Sequence, residues 1–119
     1  MSSRILALWL TIIFPLISLG EQPSQTYNEA LQLFQQKKYS EAKTKFEQTV
    51  SEQGANPFVL YNLALTELEL GHPGLAVGLW RKALDLDPGF GRARDAISHT
   101  ADKMKTTAGS LALADAPTP

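Results

Sequence analysis

Residues 56–88 read NPFVLYNLALTELELGHPGLAVGLWRKALDLDP. Asn56-Pro57 opens a helix. An asparagine side chain can accept from the orphan N–H groups of a first turn, and proline at the first helical position gives up no hydrogen bond. Gly71 closes that helix, because glycine enters the left-handed conformation that ends helices. His72-Pro73 repeats the start signal, a second helix runs through Ala76, Trp80, Ala83 and Leu84, and Pro88 stops it. A turn this short forces the second helix back along the first.

Outward from this pair, the register recurs every 34 residues. Tyr27, Asn28, Ala30, Leu31, Ala42 and Phe46 return as Tyr61, Asn62, Ala64, Leu65, Ala76 and Trp80. A period of 34 is that of a stacked helix-turn-helix unit. Upstream, Tyr27, Ala30, Leu31 and Phe34 fall on one face of a helix over about 24–37, and Tyr39, Ala42, Phe46 and Val50 on one face of a helix over about 39–53, with Gly54 as its stop. Downstream, a fifth helix over 91–105 carries Ala93, Ile97, Ala101 and Met104 on one narrow stripe with charged residues elsewhere. An array needs such a helix, polar outside, to cover its last apolar face. Residues 106–119 are rich in Ala, Thr and Pro with few bulky side chains, and the expectation is a disordered tail.

Small residues are expected where helix backbones cross closely, at Ala30, Ala42, Ala64 and Ala76, and bulky ones between them, chiefly Phe46 and Trp80. With 119 residues and 44% hydrophobic content the chain forms one small domain. Eleven basic and twelve acidic residues give a net charge of -1 without a concentrated basic face, which argues against nucleic acid. The absence of cysteine excludes a disulfide framework and a thiolate metal site, although it leaves an oxidising compartment open.

Arg4 precedes an uncharged run, Ile5 to Leu19, that ends in the small-x-small triplet Ser18-Leu19-Gly20. One positive charge, a short apolar core and small residues at the end are the order of a secretory signal, with cleavage after Gly20. The run is shorter than the ~20 residues of a membrane span, and Pro15 interrupts it. An uncleaved inner-membrane anchor at residues 5–19 and a buried N-terminal helix are the alternatives.

The repeated residues resemble the tetratricopeptide repeat. Its pattern is met in the second unit by Leu60, Leu63, Ala64, Gly71, Ala76, Trp80, Ala83 and Pro88; Glu67 and Pro73 stand where the family carries aromatics. The first unit keeps Ala30, Tyr39, Ala42 and Phe46 but has Thr26 and Glu29 where Trp and Leu are usual, and Gly54 for the terminal proline. A narrower likeness, in Leu60-Tyr61-Asn62-Leu63, Leu70-Gly71, Gly74, Ala76-Val77, Trp80-Arg81-Lys82-Ala83-Leu84 and Ala93-Arg94, is to the exported tetratricopeptide proteins of bacterial aerotolerance operons. The resemblance implies an all-α fold, a short α-solenoid of two units, 23–56 and 57–90, with a capping helix at 91–105. The domain so defined is 21–105, after a signal peptide at 1–20.

The resemblance also implies a concave groove, lined by the first helix of each unit, in which a peptide lies. By matched positions that face carries Tyr27, Asn28 and Leu31, then Phe58, Tyr61, Asn62, Leu65 and Glu69, with Arg92 opening the third unit. An asparagine amide both donates and accepts, so Asn28 and Asn62 are candidates for gripping a peptide backbone, and the tyrosines would supply rigid aromatic area. The alternative is that these residues pack against one another. The carboxylate clamp of chaperone-binding members is disfavoured, since Tyr27 and Leu31 stand at two of its places and only Asn62 and Arg92 fit.

Catalytic chemistry finds no support. His72 and His99 are the two histidines and have no carboxylate at metal-ligand spacing; Glu67 and Glu69 lie two apart and cannot share a helix face. No Gly-rich phosphate loop follows a strand, and no Ser-His-Asp arrangement can be built. The sequence reading is a non-catalytic, exported adaptor, periplasmic or secreted, with no cofactor and no metal, binding a segment of another protein. Self-association into a homo-oligomer and a membrane-anchored assembly factor are its rivals.

Overall fold

A computed structural model describes residues 24–114. The signal peptide expected at 1–20 and the end of the chain, 115–119, lie outside the described residues. Five α-helices follow in order: α1 (Gln25–Gln35), α2 (Tyr39–Gln53), α3 (Pro57–Glu69), α4 (Pro73–Leu86) and α5 (Gly91–Ala114). The fold is all-helical among the described residues, each helix packs on the one before it, and α1 also touches α3. No described helix is long and apolar enough to cross a membrane.

The helix starts follow local chemistry. Ser24 Oγ accepts from the Tyr27 N–H at 3.0 Å and Asn56 Oδ1 from the Val59 N–H at 3.0 Å. Pro57 and Pro73 occupy first-turn positions, where no N–H is missed. Gly54, at φ 83°, ends α2.

The α1–α2 and α3–α4 turns are built alike, 34 residues apart. In the first, Lys37 N–H donates to Phe34 O at 2.9 Å and Lys38 N–H to Leu33 O at 2.9 Å; in the second, Gly71 N–H donates to Leu68 O at 3.0 Å and His72 N–H to Glu67 O at 2.9 Å. Both need a left-handed residue, Gly71 at φ 86° and Lys37 at φ 60°. Glycine takes that conformation freely, whereas a lysine there costs on the order of 1 kcal/mol.

Two apolar clusters form the core. Ala30, Ala42 and Phe46 pack with Val59 and Leu63 of α3, while Ala64, Ala76, Trp80 and Ala83 pack with Leu60 and with Ala93 of α5. Half-buried Leu79 touches both. The four alanines expected at close crossings have no exposed surface, and Phe46 and Trp80 are the largest fully buried side chains. Buried Thr49 and Thr66 satisfy their own hydroxyls by donating to Lys45 O and Asn62 O, each at 2.8 Å.

The fifth helix corrects one expectation. It does not stop at Lys105 but continues to Ala114, so residues 106–114 are helical where a structureless tail was expected. The expectation weighed bulky side chains and left out backbone propensity: five of the nine residues 106–114 are Ala or Leu, good helix formers, and no proline falls between Pro88 and Pro117, although Gly109 is a poor helix former. Thr106 and Thr107 direct their hydroxyls back to Asp102 O and Lys103 O at 3.0 Å, which removes them as competitors for the helix backbone.

Candidate functional site

The face shared by α1 and α3 begins at an amide. Asn62 Nδ2 donates to Tyr27 Oη at 2.9 Å and to Phe58 O at 3.0 Å. Since a carbonyl can only accept, the Phe58 contact fixes which end of the amide is nitrogen. Both Asn62 donors are therefore used inside the chain, one of them linking the two units, and Oδ1 is the atom left to accept from a partner. Burial pushes the Tyr27 hydroxyl up, and the bond from Asn62 offsets part of that. Tyr27 also meets Phe46 edge-on, with centroids 6.0 Å apart. Replacing Asn62 with Ala is thus expected to lower stability by about 1–2 kcal/mol, read by thermal or urea unfolding, because it removes a part-buried contact between units.

Next to it an aromatic ladder climbs from the core to solvent. Tyr61 lies 6.3 Å from Trp80 and 5.5 Å from Phe90, and Phe90 lies 5.4 Å from Phe58, ring centre to ring centre. Phe58 ends the ladder 61% exposed. A phenylalanine this open is held in place by its neighbour Phe90, which the turn after α4 delivers: Gly89 N–H donates to Asp87 Oδ1 at 3.0 Å and Phe90 N–H to Asp87 O at 3.1 Å. Phe58 and Tyr27 share a hollow of about 260 Å³ with Ser24, Gln53, Asn56 and Val59.

Of the nine residues expected on the groove, Tyr27, Phe58, Tyr61 and Asn62 form this contiguous patch. Asn28 on α1 and Arg92 at the start of α5 are exposed. Leu31 and Leu65 are half-buried and pack onto the two clusters, so their side chains serve the fold. Glu69 stands about 16 Å further along α3 than Phe58. It lines a separate hollow of about 550 Å³ with Leu68, Pro73, His99, Lys103 and Met104. Phe90 was missed in the sequence because it belongs to a turn, outside the matched helix positions.

In the sequence Glu67 stands as a departure from an aromatic and as a carboxylate that cannot share a helix face with Glu69. It is 4% exposed and accepts from Lys43 Nζ on α2 and from His72 Nδ1 in the α3–α4 turn, each at 2.7 Å, clasping three segments. His72 consequently makes no capping bond to α4. Burial alone would push the Glu67 carboxyl up, but the hydrogen bonds from Lys43 and His72 hold it below the ordinary carboxylate range. The folded value thus lies below the unfolded one of about 4.3, so the clasp contributes fully above that pH and is lost as pH falls through the folded value. Melting temperature should drop on acidification below about pH 4, and Glu67→Gln should flatten that drop; melts of both proteins down to about pH 3 check it.

Neither a protein-family model nor a curated protein matches the chain.

Proposed function

We propose that the chain is a non-catalytic, exported protein-interaction module of the tetratricopeptide type, which holds a segment of another protein along the face of α1, α3 and the start of α5. The 34-residue register supports the type. It places Ala30, Ala42 and Phe46 in one helix pair and Ala64, Ala76 and Trp80 in the next, all buried, and it spaces two turns with the same hydrogen bonds. The order Arg4, Ile5–Leu19, Ser18-Leu19-Gly20 supports export.

The observation that carries the binding face is Phe58. An aromatic ring fixed by a buried-side neighbour and open to solvent offers apolar area without a large loss of side-chain freedom. Beside it, Asn62 Oδ1 offers an acceptor for a main-chain N–H, and exposed Asn28 both a donor and an acceptor. A photocrosslinking residue in place of Phe58 tests this in the native host. Crosslinks to a defined partner segment are expected there and absent from the same probe at exposed Glu41 on α2; equal products at both positions would reject the face.

A further inference from the structure

Helix α4 carries a second apolar stripe, distinct from the one that faces the core. At 3.6 residues per turn, Leu75, Leu79, Lys82 and Leu86 fall within about 60° of one another, beside the buried stripe of Ala76, Trp80 and Ala83. Leu75 is 57% exposed and Leu86 53%. Leu79, Lys82 and Leu86 wall a hollow of about 600 Å³ whose floor is Leu60 and Leu63 and whose far side is α2, with Glu47 and Val50. A second hollow of about 390 Å³ shares Glu47, Leu63, Leu79 and Lys82 and reaches Leu75, so the two form one trough between α2 and α4. Gly74 and Gly78 border it, and a Cβ on either would meet nothing within 4 Å. A helix can therefore approach the α4 backbone closely. No residue of the trough belongs to the Phe58 face.

The stripe is complementary to itself. Spacings of four, three and four are the alternating seam positions of a heptad. When two α4 helices run antiparallel about a two-fold axis, Leu75 faces Leu86 of the second copy and Leu79 faces Lys82 of the second copy. Each seam position on one helix then meets the opposite kind on the other. Leu79 shares both hollows with Glu47, so the ammonium laid over Leu79 arrives beside the Glu47 carboxylate, and symmetry makes this contact twice. Among the described residues neither Glu47 nor Lys82 has an ion-pair partner within 4 Å in its own chain, although Lys43, one turn before Glu47, is close enough to feel its charge.

We propose that the α2–α4 trough takes α4 of a second copy of this chain, in an antiparallel pair fixed by two Glu47–Lys82 contacts. The Phe58 face stays open in both copies.

The test uses two differently tagged full-length copies expressed together, with capture by one tag and quantitation of the other. Wild-type copies are expected to capture each other. When both copies carry Lys82→Glu, or both carry Glu47→Lys, like charges meet twice and capture should fall at least about tenfold. A Lys82→Glu copy paired with a Glu47→Lys copy has opposite charges at both contacts, and its capture should return close to the wild-type level. Both side chains are exposed, and recovery in the mixed pair shows that both variants fold. The proposal is overturned by absent wild-type capture, by undiminished capture in the Lys82→Glu pair, or by a mixed pair as weak as the single-variant pairs.

Discussion

Replacing Trp80 with alanine is expected to lower the unfolding free energy by about 3–5 kcal/mol, a large share of what a domain of this size possesses. The ring is 1% exposed and fills the space between α3, α4 and α5, where Ala64, Ala76, Ala83 and Ala93 bring the backbones close. Small neighbours cannot swing in to occupy the hole, so the lost contacts are not recovered. The indole N–H has no acceptor among the described residues. Trp80→Phe should therefore be milder than its volume alone suggests, because it removes an unsatisfied donor along with the lost ring. Urea unfolding of the three proteins orders them wild type, Trp80→Phe, Trp80→Ala.

Phe46→Ala should cost a similar amount, about 3–5 kcal/mol, but in a different place. Phe46 is fully buried in the cluster of α1, α2 and the near face of α3, which meets the Trp80 cluster through half-buried Leu79. When units touch chiefly their neighbours, a defect in one weakens that unit first. Native-state hydrogen exchange of Phe46→Ala is expected to show loss of protection in α1 and α2 at lower free energy than in α4. Equal loss in all helices would mean that the two clusters open as a single unit.

Much of the fold is legible because its punctuation is local. Asn56-Pro57, His72-Pro73, Gly54 and Gly71 act on their own turn of backbone, and the 34-residue register places the alanines and the two large rings without reference to distant contacts. Lys37 shows where that reading stops. It occupies the same left-handed turn position as Gly71, and only the surrounding hydrogen bonds, repeated 34 residues apart, hold a lysine there. The extension of α5 to Ala114 escaped for the opposite reason: the Ala and Leu residues of 106–114 favour helix by backbone propensity, which a test based on bulky side chains does not weigh.

The site is less legible, since it depends on who meets whom across units. The resemblance to the tetratricopeptide repeat implies a peptide-gripping Asn62, yet its N–H groups are taken by Tyr27 and Phe58, a fact that no spacing within one helix reveals. Glu67 is a carboxylate in an aromatic's place until Lys43 arrives from α2 and His72 from the following turn. Phe90 acquires meaning only when the turn lays it against Phe58 and Tyr61. In each case the deciding neighbour comes from another helix or from the turn that follows.

The most direct test of the binding face is a titration of Phe58→Ala against the partner segment identified by crosslinking, with thermal melts of both proteins alongside. Phe58 is largely exposed, so its truncation should barely move the melting temperature while weakening the segment's affinity by about tenfold or more. An affinity equal to wild type, with the protein still folded, would contradict the account.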